Sequence, residues 1–215
     1  MIKGIIFDLD GTTLSTLDDI QESLNIVLKL HGYNKQTLNE VRLHIGRGSR
    51  NLVKDSLPVG VSEEEIDNLT QEYIKKYGNH YNVKTRPFEG IKELLNELET
   101  RGIVLAVNSN KPDEFTKSLI KYHFPGNNFI AVIGAREGVP YKPDPYSANE
   151  IVDLMGFNKE EILYVGDSES DAKTAKNAGL KIAGCLWGFR DLKTLHDYEV
   201  DYILSKPSDL LDYLK

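Results

Sequence analysis

Short apolar runs alternate with amphipathic helical segments along most of this chain, and this alternation limits the possible folds more than any other feature. The runs consist mostly of continuous Ile, Val and Leu, as expected for strands that are covered on both faces. They are KGIIF (3–7), GIVLAVN (102–108), FIAVIG (129–134), EILYVG (161–166), LKIAG (180–184) and VDYIL (200–204). Helical patterns occupy about 89–101, 112–123, 145–155, 170–178 and 207–214. This repetition predicts an α/β fold, a doubly wound parallel sheet with helices on both sides.

A stretch of about seventy residues interrupts this alternation. From Ser15 to about Thr85 the sequence shows helical periodicity and no strand pattern. Because ligands bind at the carboxyl ends of the strands in open α/β sheets, a helical segment that leaves the first strand there should cover the site as a lid. We therefore predict a Rossmann-like core formed by residues 1–14 and 86–215, with an inserted all-helical cap domain at residues 15–85.

Composition and charge narrow the possible functions. The 215-residue chain has a formal net charge of −7 and no long run of like charge, which argues against a surface for nucleic acid or membrane. It has neither a secretory signal pattern nor a stretch of about 18 uninterrupted apolar residues. Its single cysteine, Cys185, allows no intramolecular disulfide. These features predict a cytoplasmic protein that binds no nucleic acid and no membrane.

Two aspartates directly follow the first apolar run. Asp8 and Asp10 are two residues apart, so on an extended strand their carboxylates point the same way and repel each other unless a cation joins them. Asp167 follows a later run in the same manner, and Asp171 lies one helical turn further on. If these two strands are neighbours, all four carboxylates gather at one edge of the sheet. Clustered oxygen ligands of this kind favour Mg²⁺.

A Mg²⁺ ion that is held by few carboxylates usually completes its coordination with phosphate and water. The sequence also offers groups that bind phosphate. Ser109 and Asn110 end the second apolar run where a helix begins, and free backbone N–H groups at such a point bind anions. Lys142, flanked by prolines in YKPDP, adds positive charge. Gly11 would let backbone N–H groups come close to the same anion.

In this order, the four segments resemble the haloacid dehalogenase superfamily, and specifically its phosphatases with a helical cap inserted after the first strand. The resemblance covers essentially the whole chain. The motifs that carry it are Asp8-Leu-Asp10-Gly11-Thr12, then Ser109, then Lys142, and finally Gly166-Asp167-Ser168 with Asp171.

The resemblance implies a role for each acidic residue. Asp8 would be the nucleophile that forms an aspartyl-phosphate. Asp10 would protonate the leaving alcohol and then deprotonate the hydrolytic water. Mg²⁺ would be bound by Asp8, the carbonyl of Asp10 and Asp167, with Asp171 in support. The phosphoryl oxygens would be held by Ser109 and Lys142. The branch that cleaves haloalkanoates lacks the second aspartate, so Asp10 argues against dehalogenation.

Three segments look most like those of phosphoglycolate phosphatases: NSNKP (108–112), GDSESDAKTAKNAGL (166–180) and CLWGFR (185–190). This likeness implies a small phosphorylated metabolite as substrate, with 2-phosphoglycolate as the lead candidate. Ser15 stands where those proteins usually have aspartate, and because serine also caps helices we expect a purely structural exchange. In the cap segment HIGRGSR, Arg47 is our candidate for substrate specificity, since a guanidinium suits a carboxylate.

Other activities on the same fold stay open from the sequence. The main alternative is a phosphosugar mutase similar to β-phosphoglucomutase, although such mutases typically have SAS-like residues in place of NSN. A pyrophosphatase is another, and so is cleavage of a carbon–phosphorus bond, which needs a cap lysine such as Lys29, Lys35 or Lys54. A phosphate-sensing binding protein would usually lack the nucleophile or the acid, and both are present. The chain could be a monomer or a homodimer.

Overall fold

The computed structural model describes residues 1–214, and its centre is a sheet of six parallel strands. Including two short strands outside this sheet, the strands are β1 (Gly4–Phe7), β2 (Leu14–Ser15), β3 (Arg86–Pro87), β4 (Val104–Pro112), β5 (Phe129–Ala135), β6 (Ile162–Gly166), β7 (Lys181–Cys185) and β8 (Tyr202–Leu204). Their order in the central sheet is β5-β4-β1-β6-β7-β8. The predicted parallel α/β sheet is thus confirmed, and the strands that precede Asp8 and Asp167 are neighbours.

Helices cover both faces of this sheet, as the continuous apolar runs predict. After the cap they are α5 (Ile91–Thr100), α6 (Asp113–His123), α7 (Tyr146–Met155), α8 (Glu169–Ala178) and α9 (Leu192–Asp197). Ile5 and Phe7 of β1 face α5 and α6, whereas Ile6 between them faces α7 and α8. The strand therefore buries both of its faces, which explains why its sequence does not alternate between apolar and polar residues.

Three elements differ from the sequence prediction. Strand β4 continues to Pro112, four residues beyond the predicted end at 108. The segment Pro207–Tyr213 is a 3₁₀ helix rather than an α-helix. Helix α9 was not predicted, because six residues are too few for a clear helical period, although Asp191 caps it by accepting a hydrogen bond from the N–H of Thr194.

Between β2 and β3 the chain forms four helices and no described strand, as predicted for the cap. These helices are α1 (Leu17–Leu30), α2 (Leu38–His44), α3 (Ser49–Asp55) and α4 (Glu63–Gly78). Their apolar residues form a separate cluster, which Phe115 and Phe189 of the core also enter. The cap therefore packs on the core through apolar side chains. No helix within residues 1–214 is long and apolar enough to cross a membrane.

The two connections between core and cap lie side by side. Leu14 pairs with Pro87 and Ser15 with Arg86 in a short antiparallel ladder. We had expected Ser15 to cap the first cap helix, but it is part of this ladder instead. The N-cap residue of α1 is Thr16, whose side chain makes no capping hydrogen bond. The domain boundaries at 14/15 and 85/86 remain our proposal. The ladder spans the first of them and begins directly after the second.

Asp19 attaches the first cap helix to the second connection. Its buried carboxylate accepts hydrogen bonds from the backbone N–H groups of Val83, Lys84 and Thr85 and from the hydroxyl of Thr85, at 2.8 to 3.1 Å. Thr85 is itself buried. Asp19 thus fixes the position of the segment through which the chain returns from the cap to the core.

We predict that Asp19→Ala lowers the free energy of unfolding by about 2 kcal/mol, because a buried donor loses its acceptor. Chemical denaturation with urea measures this change. Asp18→Ala is the matched control, since Asp18 lies in the same helical turn and is less buried; we expect it to change stability by no more than about 0.5 kcal/mol. Equal effects of the two substitutions would contradict the role given to Asp19.

Candidate active site

The neighbouring ends of β1 and β6 bring three acidic side chains together. Asp8 follows β1, Asp167 follows β6, and Asp171 lies in the first turn of α8. One carboxylate oxygen from each lies within 4.8 Å of the others, and all three residues are buried. The structure thus assembles three of the four predicted acidic residues into one cluster, at the carboxyl edge of the sheet.

Within the described chain, the ammonium group of Lys142 is the only one that directly contacts this cluster. Its Nζ lies 2.7 Å from Asp8 Oδ1 and 2.7 Å from Asp171 Oδ1, and it also donates to the carbonyl of Asn108 at 3.0 Å. All three donor positions of the ammonium are therefore used. One positive charge against three carboxylates leaves the buried cluster with an excess of negative charge.

This excess negative charge, together with burial, changes the pKa values of Asp8, Asp167 and Lys142. Burial, together with the charge of Asp171, raises the pKa of Asp8 well above its usual range, against the opposing effect of Lys142. Burial and Asp171 likewise raise the pKa of Asp167 to about 7. Burial by itself would lower the pKa of Lys142, but Asp171 and Asp8 raise it, so the ammonium stays charged. The cluster therefore lacks positive charge.

The oxygens that remain available fit a divalent cation. Asp8 Oδ1 accepts one hydrogen bond, from Lys142, and keeps a further lone pair for a cation, while Oδ2 accepts no hydrogen bond within residues 1–214. Asp167 keeps further lone pairs beside those that accept from the N–H of Phe189 and the hydroxyl of Thr12. A hard, doubly charged ion would suit these oxygens and offset the surplus charge. We therefore assign Asp8 and Asp167 as the candidate metal ligands.

Asp171 is placed differently from a simple metal ligand. Its Oδ1 accepts from Lys142, and its Oδ2 accepts from the N–H and the hydroxyl of Ser168 at 3.0 and 2.6 Å. Both oxygens therefore already have partners. Ser168 is the N-cap of α8, and this reciprocal capping box aligns Asp171 with Lys142. In this structure Asp171 supports the cluster chiefly by holding Lys142.

Gly11 was predicted to let backbone N–H groups come close to a phosphate, and its own N–H is not one of those available. Its N–H donates to the carbonyl of Leu14 at 3.0 Å, so this group is not free to bind an anion. Its backbone has φ = +94°, and a Cβ at this position would lie 2.5 Å from Asp167 Oδ2. Glycine is needed here because the chain turns in a conformation that other residues disfavour, directly against a cluster carboxylate.

Ser109 and Asn110 both line the cavity, but only one of them offers a free donor. The Ser109 oxygen accepts from the N–H of Lys111 at 3.2 Å, and its own hydroxyl proton has no protein acceptor within residues 1–214. Asn110 exchanges two hydrogen bonds with the backbone of Lys142, at 2.8 and 3.0 Å, and donates to the cap carbonyl of Gly46 at 3.0 Å. Its amide therefore positions Lys142 instead of binding an anion.

Asp10 pairs with a lysine that the sequence did not single out. Lys111 Nζ lies 2.8 and 3.0 Å from the two carboxylate oxygens of Asp10. It also lies 4.7 Å from the ring centre of Tyr77, which belongs to the cap helix α4. A signal for Lys111 was present in the sequence, namely the alternation of side chains along a strand. Because β4 continues to Pro112, Ser109 and Lys111 are two residues apart on one strand and their side chains point the same way.

The segment 188–190 joins the acidic cluster to the cap. The N–H of Phe189 donates to Asp167, while the carbonyl of Phe189 accepts from the side chain of Arg42 in α2. A Cβ at Gly188 would lie 2.4 Å from the Cβ of Asp167, so only glycine permits this approach. This segment belongs to CLWGFR (185–190), one of the three segments singled out in the sequence, and Phe189 and Arg190 line the cavity.

Arg190 is the second functional candidate that sequence reasoning missed. Its buried guanidinium pairs with Glu169 at 2.9 Å. It also donates to cap carbonyls at the end of α2, those of Arg42, Leu43 and Ile45. These carbonyls lack helical partners, so a cation is favourable there. Arg190 therefore links the core to the end of a cap helix.

Arg47 is not brought into the site. Its guanidinium lies 2.5 Å from Asp55, with half of the side chain exposed, and it does not line the cavity between core and cap. The polar residues of this cavity come mainly from the core and include Asp8, Asp10, Ser109, Lys111, Lys142 and Arg190. Its cap side is formed by Ile20, Ile45, Gly46, Gly48, Ser49, Leu52, Tyr73 and Tyr77.

We predict that Mg²⁺ stabilises the protein more at about pH 8 than at about pH 5. The pKa of Asp167 is about 7 in the folded protein and about 4 in an unfolded chain. The folded metal-free protein thus binds more protons than the unfolded chain between these values, so its stability falls as the pH rises through them. A cation that binds the ionised carboxylates restores this loss.

Thermal unfolding with Mg²⁺ and with an equal ionic strength of NaCl measures this effect. At a Mg²⁺ concentration of about one hundred times Kd we expect the midpoint to rise by about 5 °C at the higher pH, and by clearly less at the lower pH. Asp167→Asn should remove most of the difference. A Mg²⁺ effect that is the same at both pH values would contradict the assignment.

A second prediction concerns the link made by Arg190. Arg190→Met should increase amide hydrogen exchange in α2 by about tenfold or more, because charge-assisted hydrogen bonds to its last carbonyls are lost. Hydrogen exchange with mass spectrometry measures this rate. Arg101→Met is the control, since Arg101 forms only an exposed pair with Glu97 on α5. Unchanged exchange in α2 would show that Arg190 does not hold the cap.

The comparisons with known proteins agree with this geometry. The family model described as haloacid dehalogenase-like hydrolase matches residues 5–185. The chain is 32% identical to the phosphoglycolate phosphatase of Aquifex aeolicus over 214 residues, which cover 98% of this chain and 95% of that protein. It is 27% identical to the N-acetylmuramic acid 6-phosphate phosphatase of Pseudomonas aeruginosa over 215 residues, covering 99% and 95% of the two chains.

A solved structure shows the same architecture over nearly the full length. The crystal structure of a protein from Lactobacillus delbrueckii subsp. bulgaricus, provisionally named as a phosphoglycolate phosphatase, superposes with a TM-score of 0.92 at 30% identity. The match covers 99% of this chain and 98% of that one. With the family model, the relatives and the site geometry in agreement, this chain belongs to the haloacid dehalogenase-like hydrolase family, among members similar to phosphoglycolate phosphatases.

Proposed function

We propose that this protein is a Mg²⁺-dependent phosphatase that hydrolyses a small organic phosphate monoester through an aspartyl-phosphate on Asp8. The observation that carries the proposal is the position of the Asp8 carboxylate. It is buried beside Asp167, held on one oxygen by Lys142, and has its second oxygen free of hydrogen bonds within the described chain. The family assignment supports the same chemistry.

The first step would transfer the phosphoryl group to the protein. The free oxygen of Asp8 attacks phosphorus, a bond forms between them, and the bond from phosphorus to the ester oxygen breaks. Asp10 gives its proton to this leaving oxygen, so the product alcohol departs neutral. The hydroxyl of Ser109 can donate to a phosphoryl oxygen, since it lines the cavity next to Asp8. The charge of Lys142, whose donor positions are used by protein groups, offsets the negative phosphoryl charge.

The second step would return Asp8 to its starting state. A water molecule attacks the phosphorus of the aspartyl-phosphate, and Asp10, now ionised, takes a proton from this water. The bond between phosphorus and the Asp8 oxygen breaks, which releases inorganic phosphate and restores both carboxyl groups. The cavity is closed on its cap side mainly by apolar residues, which limits the entry of further water.

Mg²⁺ would be held by Asp8, Asp167 and, as the family resemblance implies, the carbonyl of Asp10. When bound, it supplies positive charge that offsets the carboxylates and the phosphoryl oxygens. The metal requirement is supported by the surplus of buried negative charge among Asp8, Asp167 and Asp171, which Lys142 neutralises only in part.

We propose 2-phosphoglycolate as the first substrate to test. The support comes from relatives that carry the name phosphoglycolate phosphatase and match this chain over almost its full length, such as that of Aquifex aeolicus. A relative of similar coverage is named for N-acetylmuramic acid 6-phosphate, so coverage of the whole chain does not by itself decide the substrate.

Cleavage of a carbon–phosphorus bond receives no support from the structure. That reaction needs a lysine of the cap near the substrate, and none of the cap lysines at 29, 35 and 54 lines the cavity. Lys54 instead pairs with Glu63 on the surface of the cap. No contact of the described residues favours a mutase or a pyrophosphatase over a phosphatase, so the reaction products decide between them.

We predict that the protein with Mg²⁺ releases inorganic phosphate from a panel of small phosphate esters, with 2-phosphoglycolate among the best. Asp8→Asn should lower this activity by roughly 10⁴-fold or more, because the attacking oxygen is lost. Asp10→Asn should lower it by roughly 10²–10⁴-fold.

The assay measures phosphate release, and circular dichroism checks that each variant is folded. Conversion of a sugar phosphate into its isomer without net phosphate release would contradict the proposal and favour a mutase. Release from pyrophosphate alone would favour a pyrophosphatase. Substantial activity of Asp8→Asn would remove Asp8 from the role of nucleophile.

A further inference from the structure

We propose that Lys111 binds an anionic group on the leaving-alcohol side of the substrate, and so selects phosphate esters with a carboxylate one carbon away from the ester oxygen. This inference rests on the proposed phosphatase function and adds to it the residue that recognises the alcohol portion. Lys111 thereby takes the specificity role that the sequence suggested for Arg47.

The position of Lys111 relative to Asp10 carries the inference. The ammonium lies 2.8 and 3.0 Å from the Asp10 carboxylate oxygens, and its side chain is only 3% exposed. Lys111 also lines the cavity between core and cap. Any atom that receives a proton from Asp10 is therefore close to a buried cation.

The chemistry of the substrate follows from this position. If Asp10 protonates the ester oxygen, that oxygen lies within hydrogen-bond distance of Asp10. A carboxylate that is separated from it by a single carbon then lies beside the ammonium of Lys111. Charge-assisted hydrogen bonds are the strong ones, and a buried cation makes such a bond specific for an anion.

The other cations near the cavity are committed elsewhere. Lys142 has all three donor positions used by Asp8, Asp171 and the carbonyl of Asn108. Arg190 is bonded to Glu169 and to cap carbonyls. Arg47 lies outside the cavity. The cap side offers no charged side chain, since its lining residues are Ile20, Ile45, Gly46, Gly48, Ser49, Leu52, Tyr73 and Tyr77.

Lys111 by contrast keeps binding capacity. An ammonium has three donor positions, and Asp10 is the only hydrogen-bond acceptor of Lys111 Nζ within residues 1–214. The ring of Tyr77 lies 4.7 Å from Nζ and belongs to the cap, so the cap places an aromatic face against this cation. An anion that binds here is thus enclosed between core and cap.

The experiment compares 2-phosphoglycolate with its uncharged amide, 2-phosphoglycolamide, which has nearly the same shape. The readout is the ratio of kcat/KM for the two esters. For the unaltered protein with Mg²⁺ we expect the acid to be preferred by about tenfold to a hundredfold, the range of a charge-assisted hydrogen bond. Lys111→Gln should lower activity on both esters, because Asp10 loses its partner, and should reduce the ratio to about one.

Two further variants separate recognition from general damage. Lys111→Arg keeps the positive charge and should retain most of the preference, even if its turnover falls. Arg47→Met is the matched control, since it removes a cation outside the cavity and should leave the ratio unchanged. Calorimetric titration of the Asp8→Asn variant with each ester, in the presence of Mg²⁺, measures the two dissociation constants and so the same preference without turnover.

The outcomes distinguish the inference from the function on which it rests. If the unaltered protein hydrolyses both esters equally well, or if Lys111→Gln keeps the ratio, Lys111 does not recognise the anion. A ratio that falls in Arg47→Met and not in Lys111→Gln would place recognition in the cap and overturn the inference. If the unaltered protein hydrolyses no phosphate ester, the proposed function fails, and the inference fails with it.

Discussion

Three buried carboxylates around a single ammonium are the constraint on which the rest of this structure depends. Such a cluster is unfavourable without additional positive charge, so the fold must both assemble it and leave room for a cation. The parallel pairing of β1 with β6 brings Asp8 and Asp167 together. Gly11 and Gly188 permit close approach of the backbone to Asp167, where a Cβ would collide.

The cap is connected to this cluster through the core segment that follows β7. The N–H of Phe189 holds Asp167, its ring enters the apolar cluster of the cap, and Arg190 holds the end of α2. Asn110 adds a second link, because it positions Lys142 and also bonds to the cap carbonyl of Gly46. The position of the cap is therefore tied to the residues that would bind metal and phosphate.

The fold and the acidic part of the site could be predicted because they depend on local patterns. Continuous apolar runs identify buried parallel strands, and Asp8 and Asp167 follow two of them directly. Lys111 and Arg190 depend on distant partners: Asp10 lies 101 positions from Lys111, and Arg190 meets cap carbonyls about 145 positions away. Arg47 looked suited to a carboxylate, but no local pattern could show that Asp55 would pair with it.

The most direct measurement is to trap the phosphorylated protein during turnover and locate the modified residue. Sodium borohydride reduces an acyl phosphate of aspartate to homoserine, and peptide mapping by mass spectrometry finds the position. Our account predicts homoserine at position 8, formed only when Mg²⁺ and a hydrolysable phosphate ester are both present. Homoserine at another position, or no modification while phosphate is being released, would contradict it.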